Sequence, residues 1–318
     1  MVSSISRSLP APAVKPPPPH YQSLLTPLLH RRFVNAFFVC GAFCYFLAFL
    51  ISDKSRFLWT LFPVMLFKSI LLGLFSAMPI LLLRIHQLHV GKRVQPSPFL
   101  AFQRAIGSFS TYTTIFIYAL SSLVFAAIYL ASSSPNDQLG ILVEGRIHER
   151  PRLNERFLYL VFFATYLGFL QGIYHIANDR ARLTFPEEPI ASAQDAARQQ
   201  FPNIAWNVGL NVLIGTVSGP LVYLPFRHPI WSWTLWFARR FYWLNRSAVL
   251  PSFPVGPGLF IRSAVLAAMI VLISEVAHMA FISFFIEDPF KHGKVITDKS
   301  MDPNGTLVTG LRSANKPL

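Results

Sequence analysis

An all-α membrane protein of six transmembrane helices is the fold class this sequence predicts, and three observations carry the prediction. Of 318 residues, 53% are hydrophobic and only 13% charged, where soluble chains carry about 25%. Six apolar runs reach the roughly 20 residues a helix needs to cross a hydrocarbon core about 30 Å thick. The basic excess, 28 Lys and Arg against 14 Asp and Glu, punctuates those runs instead of lying on a polar surface. That placement fits residues flanking membrane spans and leaves direct nucleic acid binding unexpected. Thirty Phe and six Trp exclude a disordered chain, because so much aromatic surface must be buried in protein or lipid.

Residues 1–32 hold Pro10, Pro12 and the run Pro16 to Pro19 and lack the apolar stretch of a signal peptide, so they read as an extended, flexible arm. Span one, Phe33 to Ile51, lies between Arg31-Arg32 and Ser52-Asp53-Lys54. Its Cys40 and Cys44 are too few for a disulfide framework and read as small hydrophobes. Span two, Leu58 to Leu83, contains Pro63, Lys68 and Pro79 and ends at Arg84; spans three and four are Phe109 to Leu130 and Phe157 to Ala177. Asn207, Asn211, three glycines and Pro220 dilute span five, Ile204 to Leu224. Small and amide residues let backbones approach and bond across helices, so this span is expected among the others. Span six, Phe260 to Ile286, completes a transmembrane domain over 33–286 and leaves 287–318 as a polar tail.

Between spans five and six the sequence crowds Trp231, Trp233, Trp236, Phe237, Phe241 and Trp243 around Arg239 and Arg240. At 100° per residue Trp233, Phe237, Phe241 and Leu244 share one face and Ser232, Arg239 and Arg246 the opposite one. Aromatic rings beside arginines suit the headgroup layer, which predicts an amphipathic helix lying in the membrane interface.

Six spans return both ends to one side. The side with the termini and the 84–108 and 178–203 connections carries 16 Lys and Arg, the other side 10. The more basic side is expected to be cytoplasmic.

Ionisable groups inside spans are costly and mark sites. Glu275 and His278 share a face of span six, and Lys68 lies about 7 Å from Glu275 in depth at 1.5 Å per residue, close enough for a structural interhelical polar group. An ion- or proton-coupled small-solute carrier built on Lys68, Glu275 and His278 is the alternative. His175 and Asp179, four apart, resemble an acid/base pair of membrane acyltransferases. His86 and His89 form H-x-x-H without further ligands near in sequence, so no metal is expected. The chain holds no G-x-S-x-G, Gly-rich phosphate loop or C-x-x-C, which predicts neither enzyme nor cofactor. A carrier would place a water-filled cavity at Glu275 and an acyltransferase a lipid-sized pocket at His175; an anchor requires neither.

Near the end the chain reads His292-Gly293-Lys294-Val295-Ile296-Thr297, then Asp302-Pro303-Asn304-Gly305-Thr306-Leu307, then Gly310-Leu311-Arg312-Ser313-Ala314-Asn315-Lys316-Pro317. This resembles the junction after the membrane domain in the fungal nuclear-division-cycle nucleoporin family. Tyr21, Leu24, Leu25, Arg32, Phe33 and Cys44-Tyr45 are similar to that family's approach to its first span. The resemblance implies a non-enzymatic anchor of the pore scaffold, resident in the nuclear envelope at the pore membrane. Such an anchor serves mRNA and protein transport through the pore and spindle pole body insertion. The implied partners are the lipid bilayer, other nuclear pore membrane proteins and scaffold nucleoporins. That family continues into a large soluble helical region, so the chain reads as the membrane half.

Overall fold

An apolar chain in lipid has no water to bond its amides, so only internal hydrogen bonding satisfies them, and helices result. A computed structural model of the chain describes residues 20–52, 63–91, 96–134, 137–143, 150–184, 192–242, 244, 249–286 and 296–312. The elements in chain order are α1 (Tyr21–Ile51), α2 (Met65–Leu72), a π-helical turn (Gly73–Ala77), α3 (Met78–His86), α4 (Pro98–Gly107) and α5 (Phe109–Ala131). A two-residue hairpin follows, β1 (Leu142–Val143) against β2 (Arg152–Leu153), with Leu142 opposite Leu153. Then come α6 (Glu155–Ala177), α7 (Ala193–Phe241), α8 (Pro257–Ile286), a 3-10 turn (Ile296–Lys299) and α9 (Pro303–Arg312). Six helices are long and apolar enough to cross a membrane, with α2, the π turn and α3 forming the second. The six-helix class is therefore as expected.

Two compact units divide the chain, 1–31 with 288–318, and 32–287. In the first, Tyr21 donates its amide to Thr309 Oγ1 at 3.1 Å. A Cβ at Gly310 would lie 3.0 Å from the Tyr21 ring, so glycine lets α9 sit close. The arm differs from expectation: α1 begins at Tyr21, so residues 21–32 form helical turns, and Pro27 is held within the helix. The prolines at 10, 12 and 16–19 lie outside the described residues.

The larger unit is packed inside out relative to a soluble bundle, as lipid allows. On α5, Thr114, Tyr118, Ser121 and Ser122 are buried while Phe116 and Leu120 are exposed. On α1, the buried residues Ala36, Cys40, Cys44, Leu47 and Ile51 follow helical spacing, with Phe38 and Phe46 outward. Helix α6 packs against α5, α7 and α8, and α8 is the most enclosed span. Glycines set the spacing of α6. A Cβ at Gly168 would fall 2.5 Å from the Tyr118 carbonyl oxygen, and one at Gly172 2.8 Å from the Ile115 Cα. The α5 and α6 backbones thus touch along a G-x-x-x-G stripe. On α7, Gly215 and Gly219 likewise leave room for the side chains of Leu167 and Phe163.

Helix α7 runs 49 residues, about 73 Å at 1.5 Å per residue, more than twice the hydrocarbon thickness. The aromatic segment, expected as a separate helix between spans five and six, is the C-terminal end of this helix and continues from the span. Pro202, Pro220, Pro225 and Pro229 sit inside it, each lacking the amide that would donate to the residue four earlier.

Candidate functional site

At the end of the bundle where α3 and α6 stop and α5 starts, a buried polar cluster joins four spans. Arg84 is 0% exposed. Its Nη1 donates to His278 Nδ1 at 3.1 Å and to the His278 carbonyl at 3.3 Å, and its guanidinium carbon stands 4.7 Å from the Phe281 ring centroid. The Tyr118 hydroxyl lies 2.7 Å from His278 Nε2 and 3.0 Å from His175 Nδ1.

Arginine only donates, which orders every proton in the chain. His278 Nδ1 must accept, so its Nε2 carries the hydrogen and donates to Tyr118. The single Tyr118 proton then goes to His175 Nδ1. The His175 Nε2–H is left as the last donor, and that atom has no partner among the described residues. One directional chain thus fixes α3, α8, α5 and α6 to each other.

Glu275, buried on α8, accepts from Arg180 Nη1 at 2.6 Å. Arg180 reaches back because the chain turns sharply after α6. Asp179 takes a left-handed φ of 46°, and the Arg180 amide bonds the His175 carbonyl at 3.0 Å. The partner expected from Lys68 is therefore supplied to Glu275 by Arg180, while Lys68 sits half-buried on α2, which packs on α5. Glu275 and His278 do share a cluster. A cavity of about 250 Å³ borders it, lined by Arg84, Arg180, Arg182, Glu275 and His278 among others.

His175 and Asp179 face different partners. His175 belongs to the Tyr118 chain, whereas Asp179 Oδ2 lies 3.1 Å from His89 Nε2 and His89 Nδ1 lies 3.0 Å from the Gln87 carbonyl. His175 and Asp179 are thus bonded to different side chains and not to each other.

At the opposite end Glu155 accepts from Arg227 Nε at 2.5 Å and from its Nη2 at 3.0 Å, and Arg262 donates to Asp137. Asn154 caps α6 by accepting from the Arg156 amide at 3.1 Å, while its amide donates to the Gln138 and Gly140 carbonyls. This frame sets the aromatic end of α7 against β2 and α6. Trp231, Leu235 and Ala238, spaced by one helical turn, bury themselves on Leu153, Leu158 and Leu244.

Trp231 is thus a packing residue, 6% exposed, and not one of the interface contacts expected; the helical period puts it on the protein face. Leu244 joins the same cluster and leaves the aromatic face assigned to it. Trp233, Trp236, Phe237 and Phe241 are exposed on the other side, with Arg240 stacked 4.4 Å over Trp236 and Arg239 also exposed. Trp243 lies outside the described residues.

The open aromatic face predicts membrane binding. A peptide covering Arg227 to Ser247 should become helical on anionic vesicles with a blue shift of tryptophan emission. Changing Trp233, Phe237 and Phe241 to Ser should release it. Changing Arg239 and Arg240 to Gln should cost about 1 kcal/mol per charge on anionic vesicles only. Binding of the Ser variant equal to the parent would make this face an ordinary exposed surface.

The arrangement is a membrane bundle tied at both ends by buried polar groups, and comparison with known proteins gives it a family. The family model described as "Nucleoporin protein Ndc1-Nup" matches residues 27–318. The chain is similar to "Nucleoporin NDC1" of Chaetomium thermophilum, 30% identical over 94% of this chain and 48% of that protein. It is also similar to "Nuclear envelope protein ndc1" of Schizosaccharomyces pombe, 24% identical over 94% of this chain and 49% of that one. The chain spans about half the length of these curated relatives. With the family model covering nearly the whole chain and all six spans, the chain belongs to the Ndc1-Nup family of nucleoporins.

Proposed function

We propose that this chain anchors the nuclear pore scaffold in the pore membrane of the nuclear envelope, with both ends of the six-span bundle on the cytoplasmic or pore side. Support in assembling the pore and in inserting the spindle pole body belongs to the same reading, as do scaffold nucleoporins and other pore membrane proteins as partners. The observation that carries it, beside family membership, is how the intramembrane polar groups are used: Arg84, Tyr118, His175 and His278 bond helix to helix. Those bonds favour a rigid anchor over a moving part. Orientation rests on the basic excess of the connections that flank this cluster.

A carrier is the second reading, favoured by the cavity at Glu275. It stops short of a path. The neighbouring void, walled by Ile80, Tyr118, Phe125 and Ile270, measures about 10 Å³, roughly the room for one water.

The test is a complementing strand of a split fluorescent protein inserted after Lys92 in the natural-length protein, with the other fragment in the cytosol. Fluorescence at the nuclear rim is expected, and Glu275→Gln should keep both the rim signal and growth. Signal spread through the endoplasmic reticulum would overturn the pore assignment; signal only with a lumenal fragment would overturn the orientation. A folded, rim-localised Glu275→Gln protein without function would favour the carrier.

A further inference from the structure

We propose that the cavity beside Arg84 and Arg182 is a binding site for the phosphate headgroup of an anionic membrane lipid. The buried polar cluster leaves several donors over. Arg84 is fully buried, and its hydrogen bonds to His278 both leave from Nη1; Nε and Nη2 have no hydrogen-bond partner among the described residues, nor has Arg182 Nε. Nε and Nη2 form one edge of the guanidinium, with two N–H bonds pointing the same way. That edge matches two oxygens of a phosphate or carboxylate. Leaving such groups unpaired in a protein interior is costly, more so when they are charged, so a partner is expected there.

Nearby carboxylates do not supply it. Glu275 is taken by Arg180, and Asp179 lies on His89. Three guanidiniums against two carboxylates leave the cavity wall with one positive charge in excess. At the opposite end of the bundle, by contrast, Arg227 and Arg262 each face a carboxylate.

Position separates a lipid from a soluble anion. Arg84 lies in the last turn of α3 and Arg180 just past the end of α6, and the ends of apolar spans are where headgroups meet the protein. The same cavity has amides, Asn203 and Asn207, beside apolar Ile204, Met279 and Ile282. Phosphate oxygens suit the arginines and amides, and the glycerol and first methylenes of a chain suit the apolar wall. A volume of about 250 Å³ accommodates a headgroup with a small substituent.

The test uses the natural-length protein, purified in neutral detergent and stripped of lipid, and native mass spectrometry with dioleoyl phosphatidic acid or dioleoyl phosphatidylcholine. Phosphatidic acid should be retained about tenfold better than phosphatidylcholine. Arg182→Gln should remove most of that preference, whereas Arg156→Gln, an exposed arginine at the other end of the bundle, should leave it. Arg84→Gln should have the larger effect if it folds; Arg182→Gln and the two-lipid comparison on the parent do not depend on it.

Equal retention of both lipids, or equal phosphatidic acid on the parent and Arg182→Gln, would overturn the site. Inorganic phosphate that raised the melting temperature as much as phosphatidic acid did would assign the cavity to a soluble anion and overturn the lipid. None of these outcomes depends on where the protein resides, so failure here leaves the pore-anchor reading standing.

Discussion

Gly168→Leu should melt the bundle well below the parent. A Cβ at this position would meet the Tyr118 carbonyl oxygen at 2.5 Å and the Ala119 Cα at 2.6 Å, both backbone atoms. Neither can swing aside as a side chain would, so α5 and α6 must separate. Gly168→Ala is expected to cost about 1–3 kcal/mol, the usual range for overpacking, and Leu more. The damage reaches further than the helix pair, because Tyr118 carries the hydroxyl that joins His278 to His175. Gly209→Ala is the matched control, since a Cβ there meets nothing within 4 Å. It should be neutral or gain up to about 1 kcal/mol of helix propensity. Fluorescence-detected size exclusion after graded heating in detergent reads both. If Gly168→Leu survived as long as Gly209→Ala, the close approach of α5 and α6 would be refuted.

The six spans were legible in the sequence because a bilayer imposes a length that no soluble core does, and each span was bounded by polar residues. What the polar residues do was less legible. A charge at the end of an apolar run reads as a flank, so Arg84 and Arg180 look like loop residues, yet α3 continues to His86 and turns Arg84 inward. A signal was present. Gly73, Ser76, Ala77, Ile80, Leu81 and Arg84 recur at three- and four-residue steps, the small and polar stripe of a packed face, and all are buried.

Arg180 had no such signal, because its direction depends on the left-handed turn at Asp179. The G-x-x-x-G spacing of Gly168 and Gly172 was readable as a contact stripe, although which helix it would meet was not. For the aromatic segment, periodicity placed Trp233, Phe237 and Phe241 together correctly. It could not tell that Trp231 would turn to the protein, since that face exists only once β2 and the start of α6 are in place.

Removing Arg227 should be the most damaging single change at the other end of the molecule. The Glu155 side chain is 3% exposed, and it accepts from Nε and Nη2 of one guanidinium, with the Tyr223 hydroxyl at 3.5 Å. Arg227→Leu strands that carboxylate in a buried place, a loss of about 3–5 kcal/mol for a fully enclosed pair. Because Arg227 itself keeps 17% of its side-chain surface exposed, the lower figure is expected.

Replacing both partners, Glu155→Gln with Arg227→Leu, removes the stranded charge and should recover most of the loss, so the two changes are not additive. The pair lies one helical turn before Trp231, which makes a second reading available. Loosening it should free the aromatic end of α7 from Leu153 and Leu158 and raise acrylamide quenching of tryptophan in Arg227→Leu but much less in the double variant. Equal melting temperatures for the single and double variants would show that the stranded carboxylate is not the cause, and unchanged quenching in Arg227→Leu would show that the hydrophobic cluster holds that segment by itself.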